Sequence, residues 1–277
     1  MTDTDTRIQP KKSGLTPRQR RRLSRGAQYV VFVAAVIAFA SSADWGRLRN
    51  QFAQAHIAQQ MFPDLITVAL KNTVLYTLSG FVVGLALGMV IALMRLSSVG
   101  PYRWVAGIYI EIFRGLPSLL IFIFVGTGVP LAFPDIQYPG GIYGKVAVAL
   151  GLVSAAYMAE TIRAGIQAVP KGQMEAARSL GFSPARAMIS IILPQAFRII
   201  LPPLTNELVL LFKDSSLVLF LGVTLEQREL SKFGNDLAST TANSTPILVA
   251  GLCYLLITVP LGFVVRRMES RTQEAIR

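Results

Sequence analysis

The sequence predicts an all-α fold, a polytopic bundle of transmembrane helices, and three observations support this class. The 277-residue chain is 52% hydrophobic. Only 15% of its residues are charged, whereas about a quarter is usual in soluble domains. Several apolar runs reach the roughly 20 residues that a helix needs to cross a bilayer. Together these observations leave no room for a large soluble domain.

The first predicted elements are a tail, an anchor and an external segment. Residues 1–26 are polar and basic, and we expect a cytoplasmic tail that is disordered or faces lipid. Residues 27–43 are apolar, and two interpretations stay open: an uncleaved transmembrane anchor, or a cleaved signal with a peptidase site at Ala38-Phe39-Ala40. We favour the anchor because more spans follow. In both cases residues 44–71 form an external segment.

Five more apolar runs predict the remaining spans. They cover residues 72–94, 107–133, 145–164, 202–223 and 246–265. Small residues four apart line one face of the first run and one face of the third: Gly80, Gly84, Gly88, Gly151, Ala155 and Ala159. Such faces let another helix approach closely. With the anchor the count is six spans, and the Lys and Arg clusters place both termini in the cytoplasm. Pro202 and Pro203 fit the start of the fourth run.

Charged and polar side chains within these runs are the candidate pathway residues, because charges at this depth usually face a bundle interior or a wet cavity. They are Glu111, Arg114, Glu160, Arg163, Asn206, Glu207, Lys213, Asp214, Ser215 and Ser216. The two acid-then-base pairs each share one helix face, so each is either a structural ion pair or a contact with the pathway or a partner. Lys213 and Asp214 are adjacent, so at least one needs a partner on another helix, in water or in a ligand. A salt bridge of Lys213 with Glu207, Asp214 or an acid on another helix remains an alternative.

Several classes of site are not expected in this chain. No GxxxxGK[ST] nucleotide-binding motif occurs. Cys253 is the single cysteine, and no cluster around His56 suggests a metal site. The net charge of +12 is concentrated in the predicted cytoplasmic segments, so we expect no nucleic-acid partner. We therefore expect no enzyme activity, no catalytic residue, no metal and no cofactor in this chain.

Residues 167–198 form a polar, amphipathic segment between two apolar runs. Pro170 suits the first position of a helix, and Gly181 suits the left-handed C-cap that ends it. Ser183 caps a second helix that has Pro184 at its first position. Pro194 interrupts or kinks the chain after Leu193. The pattern predicts two short helices joined by a tight corner.

The spacing of Glu175-Ala176-Ala177, Gly181 and Leu193-Pro194 matches the EAA loop. On these residues the chain resembles the membrane subunits of type I ATP-binding-cassette (ABC) importers, in which this loop is a cytoplasmic coupling helix that docks on a separate ATPase. An ordinary amphipathic helix is the alternative. The resemblance implies that these residues couple the ATPase to the bundle: Lys171, Gly172, Glu175, Ala176, Ala177, Arg178, Gly181, Leu193 and Pro194.

The resemblance extends to permeases for polar amino acids of the histidine, glutamine and glutamate type. Arg114-Gly115-Leu116-Pro117 resembles their RG-T-P motif with Leu116 in place of threonine, and Ile121 replaces a usual glutamine. Lys213-Asp214-Ser215-Ser216 resembles their Lys-Asp-Thr-Ser motif. The implied fold is a five-helix importer core over residues 72–267, preceded by one extra N-terminal transmembrane helix and followed by a cytoplasmic tail at 268–277.

The function that the resemblance implies is that of an inner-membrane permease that imports a glutamate- or glutamine-like solute by alternating access. The implied partners are a dimer of ABC ATPase subunits that binds ATP and Mg²⁺, a second permease subunit, identical or related, an external solute-binding protein, and membrane lipid. An importer permease for another small solute and an ATP-independent secondary transporter remain alternatives. A membrane scaffold that transports nothing would have no polar residues in the bundle centre, contrary to Asn206 and Lys213.

Overall fold

The computed structural model describes residues 17–276, with side chains described up to Arg271. Helices and turns make up this part of the chain, and no β-strand occurs in it, which confirms the all-α class. The chain divides into two compact units, residues 1–50 and 51–277.

The described part of the first unit is mainly one long helix. Helix α1, Pro17–Ser42, contains the predicted anchor and is apolar enough to cross a membrane. Residues 17–26 are helical rather than disordered, and the rest of the predicted tail lies outside the described residues. The indole N–H of Trp45 donates to the Ala40 carbonyl (2.7 Å), and helix α2, Trp45–Phe52, comes next.

The second unit is a bundle of helices. In chain order they are α3 Ala55–Gln60, α4 Lys71–Leu96, α5 Gly100–Gly115, α6 Ser118–Ile123, α7 Val129–Ala132, α8 Ile142–Ala168, α9 Lys171–Ser179, α10 Pro184–Ala187, α11 Leu193–Asp214, α12 Leu230–Thr241 and α13 Thr245–Ile276. Three π-helical segments, Leu65–Leu70, Phe124–Gly128 and Met188–Ile192, precede α4, α7 and α11. Two 3₁₀ segments, Ser215–Leu221 and Leu225–Gln227, lie between α11 and α12. Among the described residues five helices qualify as spans, and a sixth results if the bent pair α5 and α6–α7 is one span. The predicted six corresponds to that upper count.

The predicted span at 107–133 is not one continuous helix. Residues 100–115 and 118–132 form two helical segments bent by 107° at Leu116 and Pro117. Both residues have extended backbone, with ψ of 142° and 130°. The proline explains the break, because its ring disfavours the helical conformation of the residue before it.

The predicted helix start at Pro202 is also wrong. Helix α11 runs without interruption from Leu193, with Pro194 in its first turn and Pro202 and Pro203 inside it. A proline in a first turn costs no hydrogen bond, whereas prolines inside membrane helices are tolerated because neighbouring groups satisfy the freed carbonyls. The first strong span likewise begins earlier than predicted, at Leu65 instead of Asn72.

Helices α4 and α8 form the most extensive helix pair, and their small residues face each other as predicted. A Cβ on Gly80 would lie 2.5 Å from the Leu150 Cβ, and one on Gly88 would lie 3.0 Å from the Met158 Cβ. A Cβ on Gly84, between them, would collide with the hydroxyl group of a serine on α8. Because the residue numbers of both helices rise together along the contact, α4 and α8 run parallel.

The parallel helices α4 and α8 start at one end of the bundle and finish at the other. We call the first the capped end and the second, which leads to α9, the coupling end. At the capped end, where α4 and α8 begin, the Tyr143 hydroxyl donates to Asn72 Oδ1 (2.9 Å). At the coupling end α8 finishes at Ala168, two residues before α9. A core of buried residues around α8 fills the space between the ends, and a smaller cluster packs α12 against α13 and the segment before α4.

Candidate functional site

The corner after α9 has the predicted geometry. Gly181 is left-handed, with φ of +83°. Its N–H donates to the Arg178 carbonyl (3.0 Å), and the N–H of Phe182 donates to the Ala177 carbonyl (3.1 Å). These two bonds form the Schellman motif that ends helices on a glycine. The predicted corner is therefore confirmed.

The second helix of the segment starts as predicted, and the first starts one residue late. The Ser183 Oγ accepts a hydrogen bond from the Arg186 N–H (3.3 Å), so Ser183 is the N-cap of α10. Pro170 precedes α9 with an extended ψ of 132° instead of occupying its first turn.

Most of the predicted coupling residues lie on the protein surface. Ala177 is buried at 2% exposure and attaches α9 to the bundle, together with the half-buried Met174. The other predicted residues are exposed: Lys171, Gly172, Glu175, Ala176, Arg178, Gly181, Leu193 and Pro194. Leu180 is 78% exposed beside them.

Two interruptions of helical backbone directly follow predicted pathway residues. The first is the Leu116–Pro117 break, which comes directly after Arg114 and Gly115. The second is the change from α11 to 3₁₀ helix at Ser215, which comes directly after Lys213 and Asp214. Helix α6 packs against that 3₁₀ segment. Irregular backbone at membrane depth is tolerated only where protein buries it or where it lines a water-filled cavity. The contact between α6 and the 3₁₀ segment thus joins the two elements that follow these interruptions.

The pairs Glu111–Arg114 and Glu160–Arg163 differ in their contacts. Arg163 and Glu160 form a two-point ion pair, with Nη2–Oε2 of 2.7 Å and Nε–Oε1 of 3.1 Å. The Arg114 guanidinium instead lies 5.3 Å from the centre of the Tyr157 ring. Glu111 is exposed and makes no ion pair with any residue of the described part of the chain. The structure thus contains an ion pair within the helix for Glu160 and Arg163 but not for Glu111 and Arg114, and the roles of both pairs in the pathway remain predictions.

The polar residues of α11 form two neighbouring stripes. Asn206 and Lys213, seven residues apart, are both exposed, while Glu207 and Asp214 are both half-buried and interact electrostatically. Within residues 17–271, no carboxylate forms an ion pair with Lys213. The alternative of a salt bridge with Glu207 or Asp214 is thus wrong. Of the two predicted serines, Ser215 is buried and donates to the Phe212 carbonyl (2.7 Å), and Ser216 is half-buried.

The capped end contains polar residues that the sequence did not single out. Asn72, only 2% exposed, donates from Nδ2 to the carbonyls of Glu226 (2.8 Å) and Arg228 (3.0 Å). The Tyr76 hydroxyl donates to the Gln227 carbonyl (2.8 Å). Three consecutive carbonyls of one loop are thus held by α4. In the sequence, Asn72 and Tyr76 only marked the start of an apolar run, and residues 226–228 only belonged to a polar stretch between two apolar runs.

A buried carboxylate lies at the same end. Glu229 is fully buried and caps α12. Its oxygens accept from the N–H groups of Ser231 and Lys232 (2.6 Å each) and from the Tyr254 hydroxyl (2.7 Å). Burial raises the pKa of Glu229 to about 7, although these hydrogen bonds act in the opposite direction. The sequence placed Glu229 in an external polar stretch, with no sign of burial.

No cluster of three or more His, Cys, Asp or Glu residues suited to a metal ion occurs within residues 17–276. The expectations about metals and cofactors remain predictions.

Comparison with known proteins identifies the family. The family described as "Binding-protein-dependent transport system inner membrane component" matches residues 84–274. The arginine transport system permease protein ArtQ of Bacillus subtilis is 38% identical over 192 residues, 69% of this chain and 84% of that protein. The probable glutamine ABC transporter permease protein GlnM of the same organism is 39% identical over 204 residues, 72% of this chain and 91% of that protein.

A solved structure agrees with these relatives. The crystal structure of an amino acid ABC transporter with histidines superposes with a TM-score of 0.69 at 34% identity, covering 79% of this chain and 99% of that chain. These similarities confirm the resemblance to amino acid ABC permeases. The chain belongs to the family of inner membrane components of binding-protein-dependent transport systems.

Proposed function

We propose that this chain is the permease subunit of an ATP-driven bacterial importer of polar amino acids. The observation that supports the proposal is the exposed coupling corner, in which α9 is attached through Ala177 and presents its charged surface and Leu180 outward. A separate dimer of ABC ATPase subunits would dock there and would bind ATP and Mg²⁺. This chain would then hold no cofactor and no catalytic residue.

The connections of α9 suit a transmitting role. Only two residues separate it from α8, and α10 with its π-helical turn leads directly into α11. A displacement of α9 by the ATPase would therefore move the ends of both long helices. The bundle would alternate between two global states that ATP and solute bias from separate sites.

We place the solute pathway beside the two interruptions of helical backbone, at Leu116–Pro117 and at Ser215. Lys213 offers a positive charge to the carboxylate that every amino acid has, and the Glu207–Asp214 stripe beside it offers a negative charge to the α-ammonium group. Neither contact selects a side chain. The other predicted pathway residues, Arg114 beside Tyr157 and the Glu160–Arg163 pair, lie on α5 and α8.

The orientation is inferred from the basic residues. We place the coupling end in the cytoplasm, because Arg and Lys accumulate around α9 and in the C-terminal part of α13. Both termini are then cytoplasmic. The capped end faces outward, where a solute-binding protein would deliver the solute. A second permease subunit, identical or related, would complete the pathway.

The substrate class rests on the relatives. Two similar permeases are named for arginine and for glutamine as their solutes. We propose a polar amino acid of the glutamate or glutamine type. Leu116 and Ile121 depart from the motif of polar amino acid permeases, so other small solutes should be tested as well.

The test is reconstitution of the chain with its ATPase in proteoliposomes. ATPase activity is measured with binding protein loaded with each amino acid in turn. We expect stimulation by one solute, and its loss in Glu175→Ala and Gly181→Ala variants that still insert into the membrane. Gly100→Ala is the matched control, because a Cβ there, as at Gly181, would meet no atom within 4 Å but the backbone is helical. Solute flux that persists without ATP would contradict the proposal and favour a secondary transporter.

A further inference from the structure

Glu229 joins three elements at the capped end. Its carboxylate caps α12 and accepts from Tyr254 on α13. The next residue, Leu230, donates its N–H to the Thr73 hydroxyl of α4 (3.1 Å). The Tyr76 hydroxyl of α4 also donates to the carbonyl of Gln227. Helix α4 therefore binds the chain both before and after Glu229. A change in the state of Glu229 therefore acts on the contacts among α4, α12 and α13.

Among residues 17–271, no cation forms an ion pair with Glu229, although the charge of Lys232 interacts with it electrostatically. The Lys232 ammonium forms its ion pair with Asp236 (Nζ–Oδ1 2.6 Å), and the Arg228 guanidinium also lies toward Asp236 (3.9 Å). The other titratable groups that face Glu229 are Tyr254 on α13 and Tyr76 on α4, and both are neutral phenols. In the described part of the chain the carboxylate thus has hydrogen-bond donors but no ion-pair partner. Burial of a charge without a countercharge is costly even when hydrogen bonds are present.

The protonated form fits the same surroundings. A tyrosine hydroxyl both donates and accepts, so Tyr254 can turn to accept the acid proton. Its own proton then has an acceptor in the Ser231 hydroxyl, 3.4 Å away. The second carboxyl oxygen still accepts from a backbone N–H of α12. The packed arrangement therefore retains its hydrogen bonds without holding a charge.

We propose that Glu229 is a proton-controlled clasp of the capped end: protonation keeps α12 packed against α4 and α13, and loss of the proton to the external solution favours opening of this end. The raised pKa of Glu229, about 7, agrees in direction, because a group that binds its proton more tightly when packed favours packing at low pH. Only the external position of the clasp rests on the proposed function.

Amide hydrogen exchange tests the clasp without any transport. The assembled importer in nanodiscs is measured from about pH 6 to about pH 8, with the intrinsic pH dependence of exchange divided out. We expect the amides of residues 230–233 to open at least about threefold more often at the higher pH, since ionisation removes the proton that favours packing. Glu229→Gln should abolish this dependence and stay protected, and Glu229→Asp should restore a dependence.

Glu226→Gln is the matched control, because this carboxylate lies three residues away and is exposed. This variant should show the same pH dependence of amide exchange, or exchange profile, as the unchanged protein. If Glu229→Gln keeps that profile as well, or if the unchanged protein shows none, the clasp is overturned.

ATP-driven uptake provides the second readout, with external pH varied and internal pH fixed. We expect uptake to rise with external pH in the unchanged importer. Glu229→Gln should remain at the low-pH rate throughout, which a merely structural defect would not produce. Exchange that changes with pH while uptake does not would overturn the role of the clasp in transport. Uptake that needs no ATP would instead overturn the proposed function.

Discussion

The two ends of the bundle are built from different kinds of contact. At the coupling end the hydrogen bonds that shape the corner are local, such as those from Gly181 and Phe182 to α9, and Ala177 and Met174 attach the helix. At the capped end the contacts join residues far apart in the chain, as between Asn72 and Glu226, and bury polar groups. A helix corner can therefore be built from local hydrogen bonds, whereas the burial of polar groups at the capped end requires tertiary contacts.

The largest expected effect concerns the helix pair that connects both ends. In Gly84→Val the added side chain would collide with Ser154 and force α4 and α8 apart. Overpacking of a tight contact costs about 1–3 kcal/mol or more, so we expect little folded protein. The measurement is the monodisperse fraction in detergent and its melting temperature. Gly251→Val on α13 is the control, since a Cβ there meets nothing within 4 Å. Equal behaviour of the two variants would contradict the close approach of α4 and α8 at Gly84.

The next prediction concerns the pH dependence of stability, which we expect from Glu229 at the capped end. Below pH 4.5 Glu229 is protonated in both the folded and the unfolded chain, so its burial costs little. Between pH 4.5 and about 7 the unfolded chain releases its proton and the folded chain keeps it, so stability falls as pH rises. Each unit of pKa difference is worth about 1.4 kcal/mol. We expect the melting temperature of the unchanged protein to decrease relative to Glu229→Gln over this window, and a constant difference would contradict the burial argument.

A third prediction breaks the capped end alone. Asn72→Leu removes the donor for two carbonyls and the acceptor for Tyr143. A buried polar group left unpaired costs about 1–3 kcal/mol. We expect faster hydrogen exchange in residues 224–230 and unchanged exchange in α9. Asn235→Leu, on the exposed face of α12, is the control with an expected change within about 0.5 kcal/mol. Faster exchange at both ends would mean that they are not independent.

The smallest effect breaks the coupling end alone. In Gly181→Ala a left-handed backbone is imposed on a residue with a Cβ, at a cost of about 1 kcal/mol. We expect weaker binding of the ATPase subunits by about fivefold, the factor that corresponds to 1 kcal/mol, measured by titration in nanodiscs. Exchange at the capped end should be unchanged. Equal affinity for Gly181→Ala and Gly100→Ala would show that the corner does not orient α9.

The sequence by itself determined the features that depend on neighbouring residues. Apolar run length indicated the membrane helices, the four-residue spacing of Gly80, Gly84 and Gly88 predicted a packing face, and Gly181 predicted the corner. Each depends on helix periodicity or on backbone conformation, and the structure has all of them. The roles assigned to the coupling and pathway residues stay predictions.

Only the tertiary structure decided the features that need a distant partner. A proline breaks the helix at Pro117, whereas Pro202 lies inside a continuous helix, so the residue type alone does not decide between the two outcomes. The burial of Glu229 depends on Tyr254 and α4, which lie elsewhere in the chain. A sequence pattern records what a residue prefers locally, whereas charge burial and long-range hydrogen bonds are settled only when the helices meet.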